Sequence, residues 1–234
     1  MNRNLESNNI VWAVKSPPLI SSKDNIWPEA DWFRDWEVKA FRSESSNPNQ
    51  KLGLYFEKTL HDWIEQEPKL ALLAPNLVVR SNARTLGEFD LIVRNENLIE
   101  HWEIAVKFFL GIGDRTNIGH WIGPNPRDTL ERKLDSLENR QIRLGDTPIA
   151  KRILEQKDIK IDSRRIIFKG RLFYPYKMFK MSRFEFPKDI NLSHEKGWWL
   201  RWEELDSHPE LKNSSFKLLE KKEWLAQLKN IDTE

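Results

Sequence analysis

The chain has 234 residues, 39% of them hydrophobic and 32% charged, with a formal net charge of +2. That composition supports a buried core, and it gives no global field to drive binding to nucleic acid or a membrane, so any such contact must come from a local patch. There are no cysteines, which excludes disulfides and thiolate metal sites and fits a reducing compartment.

The amino-terminal MNRNLESNNIVWAV has no apolar stretch long enough for a signal peptide. Runs such as Leu70–Ala74 fall far short of a membrane span. The expectation is a cytoplasmic protein without a membrane segment. The eleven tryptophans are expected mostly in packing, with some available as platforms for a flat ligand.

In chain order, a short apolar piece at Ile10–Val14 is followed by Ser16-Pro17-Pro18, which ends any helix. Residues 28–42 suit a helix with Trp32, Trp36 and Phe41 near one side, and Ser43–Gln50 reads as a polar loop. Leu52–Gln66 is a helical pattern with Leu60, Trp63 and Ile64 on one face, stopped by Pro68. Strand patterns follow at Asn76–Arg80, Glu88–Val93 and Ile99–Leu110, then a glycine-rich loop over 111–124. A helix is expected from Asn125 as cap and Pro126 in its first turn, with a stripe Leu130, Leu134, Leu137, Gln141. Arg165–Tyr174 is a strong strand pattern, Gly197–Trp202 a weaker one, and Ser214–Lys229 an amphipathic helix pattern. The order helix, three strands, helix, strand predicts an α/β (α+β) sandwich with a mixed central sheet flanked by helices. No composition break divides it. The expectation is one domain, with its core at about 50–175 and extensions at 1–49 and 176–234.

The stretch GEFDLIVRNENLIEHWEIAVKF, Gly87–Phe108, carries the chemistry. Side chains alternate across a strand. Phe89, Leu91 and Val93 then share one face of the first strand, with Glu88, Asp90 and Ile92 on the other. Trp102, Ile104, Val106 and Phe108 form one face of the second strand, opposite His101, Glu103, Ala105, Lys107 and Phe109. A turn at Asn95–Leu98 pairs Arg94 with Ile99 and sets Asp90 opposite Glu103, about 5 Å apart at Cβ. A one-residue slip would put Phe89 and Leu91 against Glu103. Two opposed carboxylates repel, and a divalent cation between them removes that cost. Mg²⁺, or Mn²⁺, is the expected ion, since Mg²⁺ is often held by one or two carboxylates plus substrate phosphates. A lysine beside such a site can hold an attacking water and offset phosphate charge. The competing reading is a solvated face with an Asp90–Lys107 ion pair.

Glu57 precedes Leu60 by three residues and Ile64 by seven, which puts a fourth carboxylate on the buried stripe of its helix. With that helix rotated, Glu57 instead pairs with Lys58 or His61 at the surface. His61, His101 and His120 show no metal-ligand spacing and receive no role. The stretch from Arg164 to Arg183 contains Arg164, Arg165, Lys169, Arg171, Lys177, Lys180 and Arg183 interleaved with aromatics and no acid. Such a patch can neutralise phosphates and stack on bases, although a core strand with outward basic residues looks the same. Arg127 stands at the expected helix start, where a phosphate can dock.

A helical Glu, a strand Asp, then Glu and Lys on the next strand resemble the PD-(D/E)XK nuclease superfamily, as does "GEFDLI" followed by "HWEIAVK". More narrowly, "SPPLI", "LGLYFEKTL", "TLGEFDLIV", "HWEIAVKFFL", "GPNPRDTLERKL" and "GWW" are similar to the bacterial domain-of-unknown-function 1853 family. The superfamily resemblance implies a restriction-endonuclease-like αβββαβ core and Mg²⁺- or Mn²⁺-dependent hydrolysis of DNA or RNA. It implies that Asp90 and Glu103 ligate the metal, Glu57 completes its shell, Lys107 positions or activates water, and Glu88 and Gln141 stand behind them. Lys169, Arg171, Lys177, Lys180, Arg183 and Arg127 are the candidate nucleic-acid contacts. The sequence departs from the superfamily pattern in one respect: three residues, not one, separate Glu103 from Lys107. The even spacing keeps the face but moves the lysine about 6.6–7 Å along the strand. The alternatives are a nuclease-like fold that binds nucleic acid without cutting it, and a module that binds a protein partner.

Overall fold

A computed structural model describes residues 2–38, 50–82 and 84–226. Its helices are α1 (Asn2–Lys15), α2 (Ala30–Arg34), α3 (Leu52–Ile64), α4 (Leu130–Ser136), α5 (Pro148–Gln156), α6 (Tyr176–Lys180) and α7 (Pro209–Lys212). The strands are β1 (Leu70–Ser81), β2 (Arg84–Asn95), β3 (Leu98–Gly111), β4 (Trp121–Ile122), β5 (Ser163–Pro175) and β6 (Glu195–Trp199). They form one mixed sheet in the order β1-β2-β3-β5-β6, with the short β4 on the end of β3. β1, β2 and β3 are antiparallel neighbours, while β5 and β6 continue the sheet in parallel. The fold is α+β, a mixed sheet flanked by helices.

Trp102, Ile104 and Val106 of β3 pack with α1 and α3 on one face, and Ala105 and Phe109 pack with α4 on the other. The hairpin register is the one the alternation requires: Arg94 pairs with Ile99 across a tight turn whose Glu96 takes φ +54°. Phe89 departs from the expected face. It joins Ile92 under α5, not Leu91 and Val93. The reason is local: β2–β3 pairing ends at Leu91–Trp102, and beyond it the strands part. β5 stays alongside β3 at the same level because Gly170, at φ +153°, has no Cβ to strike the Lys107 carbonyl.

Several elements differ from expectation. α1 is a full 14-residue helix, not a short apolar piece. Its Asn9 is buried and holds the far end of the chain. The Asn9 amide donates to Tyr55 Oη (3.1 Å) and the Lys222 carbonyl (3.0 Å), and accepts from the Ala226 N–H (3.1 Å). Among the described residues of the helix expected over 28–42, Ala30–Arg34 are helical, and Phe41 lies outside the described residues. The expected helix at 214–229 does not form within the described residues. Residues 215–220 are irregular and Lys221–Trp224 make one 3₁₀ turn. On a helix Leu218 and Leu225 would share a face, yet Leu218 is 94% exposed and Leu225 0%. Anchoring at Asn9 turns Leu225 inward. β6 adds a strand beyond the expected core boundary at 175, and α5, capped by Thr147 with Pro148 at its first turn, covers the β1–β2 end.

α4 begins at Thr129, whose hydroxyl accepts from the Arg132 N–H, and not at Asn125. Asn125–Asp128 form a separate turn. α4 then widens into a π turn at Leu137–Gln141, closed by Ile142 N–H to Leu137 C=O at 3.1 Å. Leu137 and Ile142 both stay buried, and Gln141 between them is aimed at the sheet. Among the described residues, no helix is long and apolar enough to cross a membrane.

Candidate functional site

The parting of β2 and β3 makes the site. Beyond the last β2–β3 ladder pair the Ile104 N–H donates to a side chain of β2, Asp90 Oδ2, at 2.9 Å. Glu103, the preceding residue on β3, is fully buried. Glu57 approaches from α3. Burial pushes the Glu57 carboxyl up to about 7; Asp90 and Glu88 add to the rise, while a bond from Asn76 and the Lys133 charge oppose it. Asp90 is raised to about 7 by burial and then by Glu103. Glu103 is raised to about 7, again by burial first, with Lys133 and a bond to Asp90 opposing and Glu88 and Glu57 adding. Three carboxyls from three elements thus feel one another in low-dielectric surroundings, and among the described residues no arginine pairs with them. Asn76, which reaches Glu57, sits within β1 in a left-handed conformation at φ +48°, beside an irregularity in the β1–β2 ladder.

Both oxygens of Glu103 are held. His101 Nε2 lies 2.9 Å from Oε1, and Gln141 Nε2 donates to Oε2 at 3.0 Å. Burial pulls His101 down to about 4, so the ring is neutral and carries one N–H. With that proton on Nε2, Nδ1 is a buried acceptor without a partner. The Gln141 carbonyl in turn accepts from Lys133 Nζ at 3.2 Å. The chain His101–Glu103–Gln141–Lys133 therefore fixes one carboxylate and ties it to one cation.

Lys133, His101 and Asn76 are residues that spacing did not single out. Lys133 is three residues after Leu130 and four before Leu137, so it lies on the buried stripe of α4, the position that signalled Glu57 on α3. Its charge acts on all three carboxyls. Its own pKa is lowered, by burial first and then by Lys107. Lys107 is half-buried and lines the cleft beside Lys133. The alternative Asp90–Lys107 pair is not formed among the described residues, and neither is a Glu57 pair with Lys58 or His61: Lys58 bonds Asp62 at 2.7 Å.

Of the expected nucleic-acid contacts, Lys169 must be corrected. It is 0% exposed; its ammonium donates to the Ser16 and Val14 carbonyls at the end of α1 and stands 3.5 Å from the Phe33 ring centroid. α1 covers the face of β5 that alternation left open. Arg171, on that same face, is engaged by Glu195 (2.6 Å) and the Leu225 carbonyl. Lys180 pairs with Glu210 at 2.6 Å. Lys177, Arg183 and Arg127 are exposed.

Three hard oxygen donors suit Mg²⁺ or Mn²⁺ and not a thiolate-seeking metal. The donor atoms of Glu57, Asp90 and Glu103 do not all lie within 4.8 Å of one another. Among the described residues, the group of potential ligands whose donor atoms all lie within 4.8 Å is His61, Asp62 and Glu65 on α3. That group is partly exposed and shares Asp62 with Lys58. The buried trio has the stronger electrostatic demand for a cation.

The chain belongs to the family described as Domain of unknown function (DUF1853), whose model matches residues 8–234. No curated protein and no solved structure matches it.

Proposed function

We propose that the protein is a Mg²⁺- or Mn²⁺-dependent phosphodiesterase acting on DNA or RNA, with the architecture of the PD-(D/E)XK nucleases. The observation that carries this reading is that Glu57, Asp90 and Glu103, from three elements, are each driven to about 7 by burial and in part by one another. A hard dication offsets that repulsion. Asp90, Glu103 and Glu57 would hold the ion, which when bound lowers the pKa of water and neutralises charge on a phosphoryl group. Glu88 adds negative potential behind them. His101 and Gln141 fix the Glu103 carboxylate, since ligands held by outer hydrogen bonds bind metals more tightly. Lys133, with Lys107 beside it, offsets charge on the phosphate as water attacks.

Titration calorimetry with Mg²⁺ and Mn²⁺ tests the reading. Wild-type protein takes up the ion and Asp90→Ala does not; cleavage of DNA or RNA then requires the ion and is lost in the same variant. Wild-type protein that binds neither metal sinks the proposal. A second reading, binding of nucleic acid without cleavage, is favoured by the position of Lys107, whose charge falls on Lys133 more than on the carboxylates. Metal uptake without product from any nucleic acid would select it.

A further inference from the structure

Beside the trio, the end of β3, the turn before α4 and α4 itself enclose a cleft of about 460 Å³. Its walls carry Lys107, Arg132, Lys133 and Arg140 against two carboxylates, Asp128 and Asp135. Among the described residues, none of these four cations is in an ion pair. Arg132 donates to the Arg127 carbonyl (2.8 Å), Arg140 to Ser136 Oγ (2.8 Å) and Lys133 to Gln141, all neutral acceptors. On β5, by contrast, Arg164, Arg165 and Arg171 each meet a carboxylate. The cleft thus gathers four cations against two carboxylates, and it meets the acidic trio at Lys133.

We propose that this cleft seats the sugar–phosphate backbone of a nucleic-acid strand, with Lys133 at the end nearest the carboxylates. Arg132 on α4 and Arg140 in the π turn that follows are eight residues apart, at most about 12 Å along the helix axis. At about 3.4 Å of rise per phosphate on one strand, that reach serves consecutive phosphates and exceeds a single anion. The site that strand would present for cleavage rests on the metal-dependent reading above. The seat itself does not require the metal. The contacts expected from sequence at Lys169, Arg171 and Lys180 give way to this one.

The test is fluorescence anisotropy with labelled single-stranded DNA and RNA oligonucleotides in EDTA, over a range of salt. Wild-type protein binds at least one of them, with affinity falling linearly on a log–log salt plot. Arg132→Gln, Lys133→Gln and Arg140→Gln each weaken binding several-fold and reduce the slope by about one. The exposed pair Lys177→Gln and Arg183→Gln leaves it unchanged. Inorganic phosphate competes only at concentrations far above the oligonucleotide. The proposal is overturned by wild-type protein that binds neither oligonucleotide, by cleft variants that bind as wild type, by loss of binding in the Lys177/Arg183 variant instead, or by inorganic phosphate competing as well as the strand. Because no metal is present, failure here leaves the calorimetric result untouched, and the reverse holds.

Discussion

Glu100 and Glu103 lie three residues apart on β3, both 0% exposed, and they are opposites in charge environment. Burial raises the Glu100 carboxyl, but two bonds from Arg165 (2.7 and 2.9 Å) and one from Trp102 (2.6 Å) outweigh it and hold its pKa below the ordinary value. Glu103 has a neutral imidazole and an amide, and is raised to about 7. The fold supplies an arginine to one buried acid and withholds it from the other. Glu103 has only the more distant Lys133 charge, relayed through Gln141, and the dication proposed above would offset the rest.

The trio makes stability depend on pH. Its folded pKa values, about 7, lie above the ordinary 3.8 and 4.5, so the folded state binds more protons between those limits. The stabilisation is complete below the ordinary values and is lost as pH rises through about 7. In EDTA, Tm should fall from pH 5 to pH 8. Asp90→Asn, which keeps an oxygen for the Ile104 N–H, should flatten the profile and stabilise the protein by about 2 kcal/mol at pH 8, roughly 4–8 °C in Tm. Adding Mn²⁺ at pH 8 should raise Tm in the wild type only. A flat wild-type profile would show that the carboxyls are already neutralised.

Removing the supports of Glu103 should cost metal affinity. His101→Phe and Gln141→Ala are each expected to weaken Mn²⁺ binding about 10–100-fold while the far-ultraviolet circular dichroism stays unchanged. Calorimetry decides, and unaltered affinity in both variants would mean that Glu103 needs no outer support.

Lys169 closes the end of α1, and its removal leaves two buried carbonyls and a cavity. Lys169→Ala should destabilise the protein by about 3 kcal/mol in urea denaturation, while the folded variant keeps the wild-type salt slope for oligonucleotides. A changed slope at equal stability would return Lys169 to the binding surface.

Asn9→Ala breaks three bonds that secure the carboxy-terminal segment to α1. A loss of roughly 2–4 kcal/mol is expected, with amide exchange at Ala226 accelerated more than at Ile104. Uniform acceleration would mean that the segment has no independent opening.

The hairpin was legible because alternation and register are dictated by the same apolar residues: only one pairing keeps Leu91, Val93, Trp102 and Ile104 together. Glu57 was legible through its spacing from Leu60 and Ile64. Lys133 carried the same signal, but a stripe defined by its leucines hides a lysine standing on it. Lys169 misled because alternation tells which residues share a face, and not that α1 covers it. α1 itself was obscured by its polar first turns, and the residues at 214–229 by a helical period that the Asn9 anchor overrides. The π turn has no signature in spacing at all, since it looks like one helix with a residue to spare.

The Asn9–Ala226 bond spans 217 positions. During translation, the first helix is therefore made long before the partner of its buried amide exists. Until the segment carrying Leu225 and Ala226 has been made, Asn9 and the apolar groove that receives Leu225 stay open to water or to a chaperone. Closure of this part of the core therefore waits for a partner made 217 positions downstream.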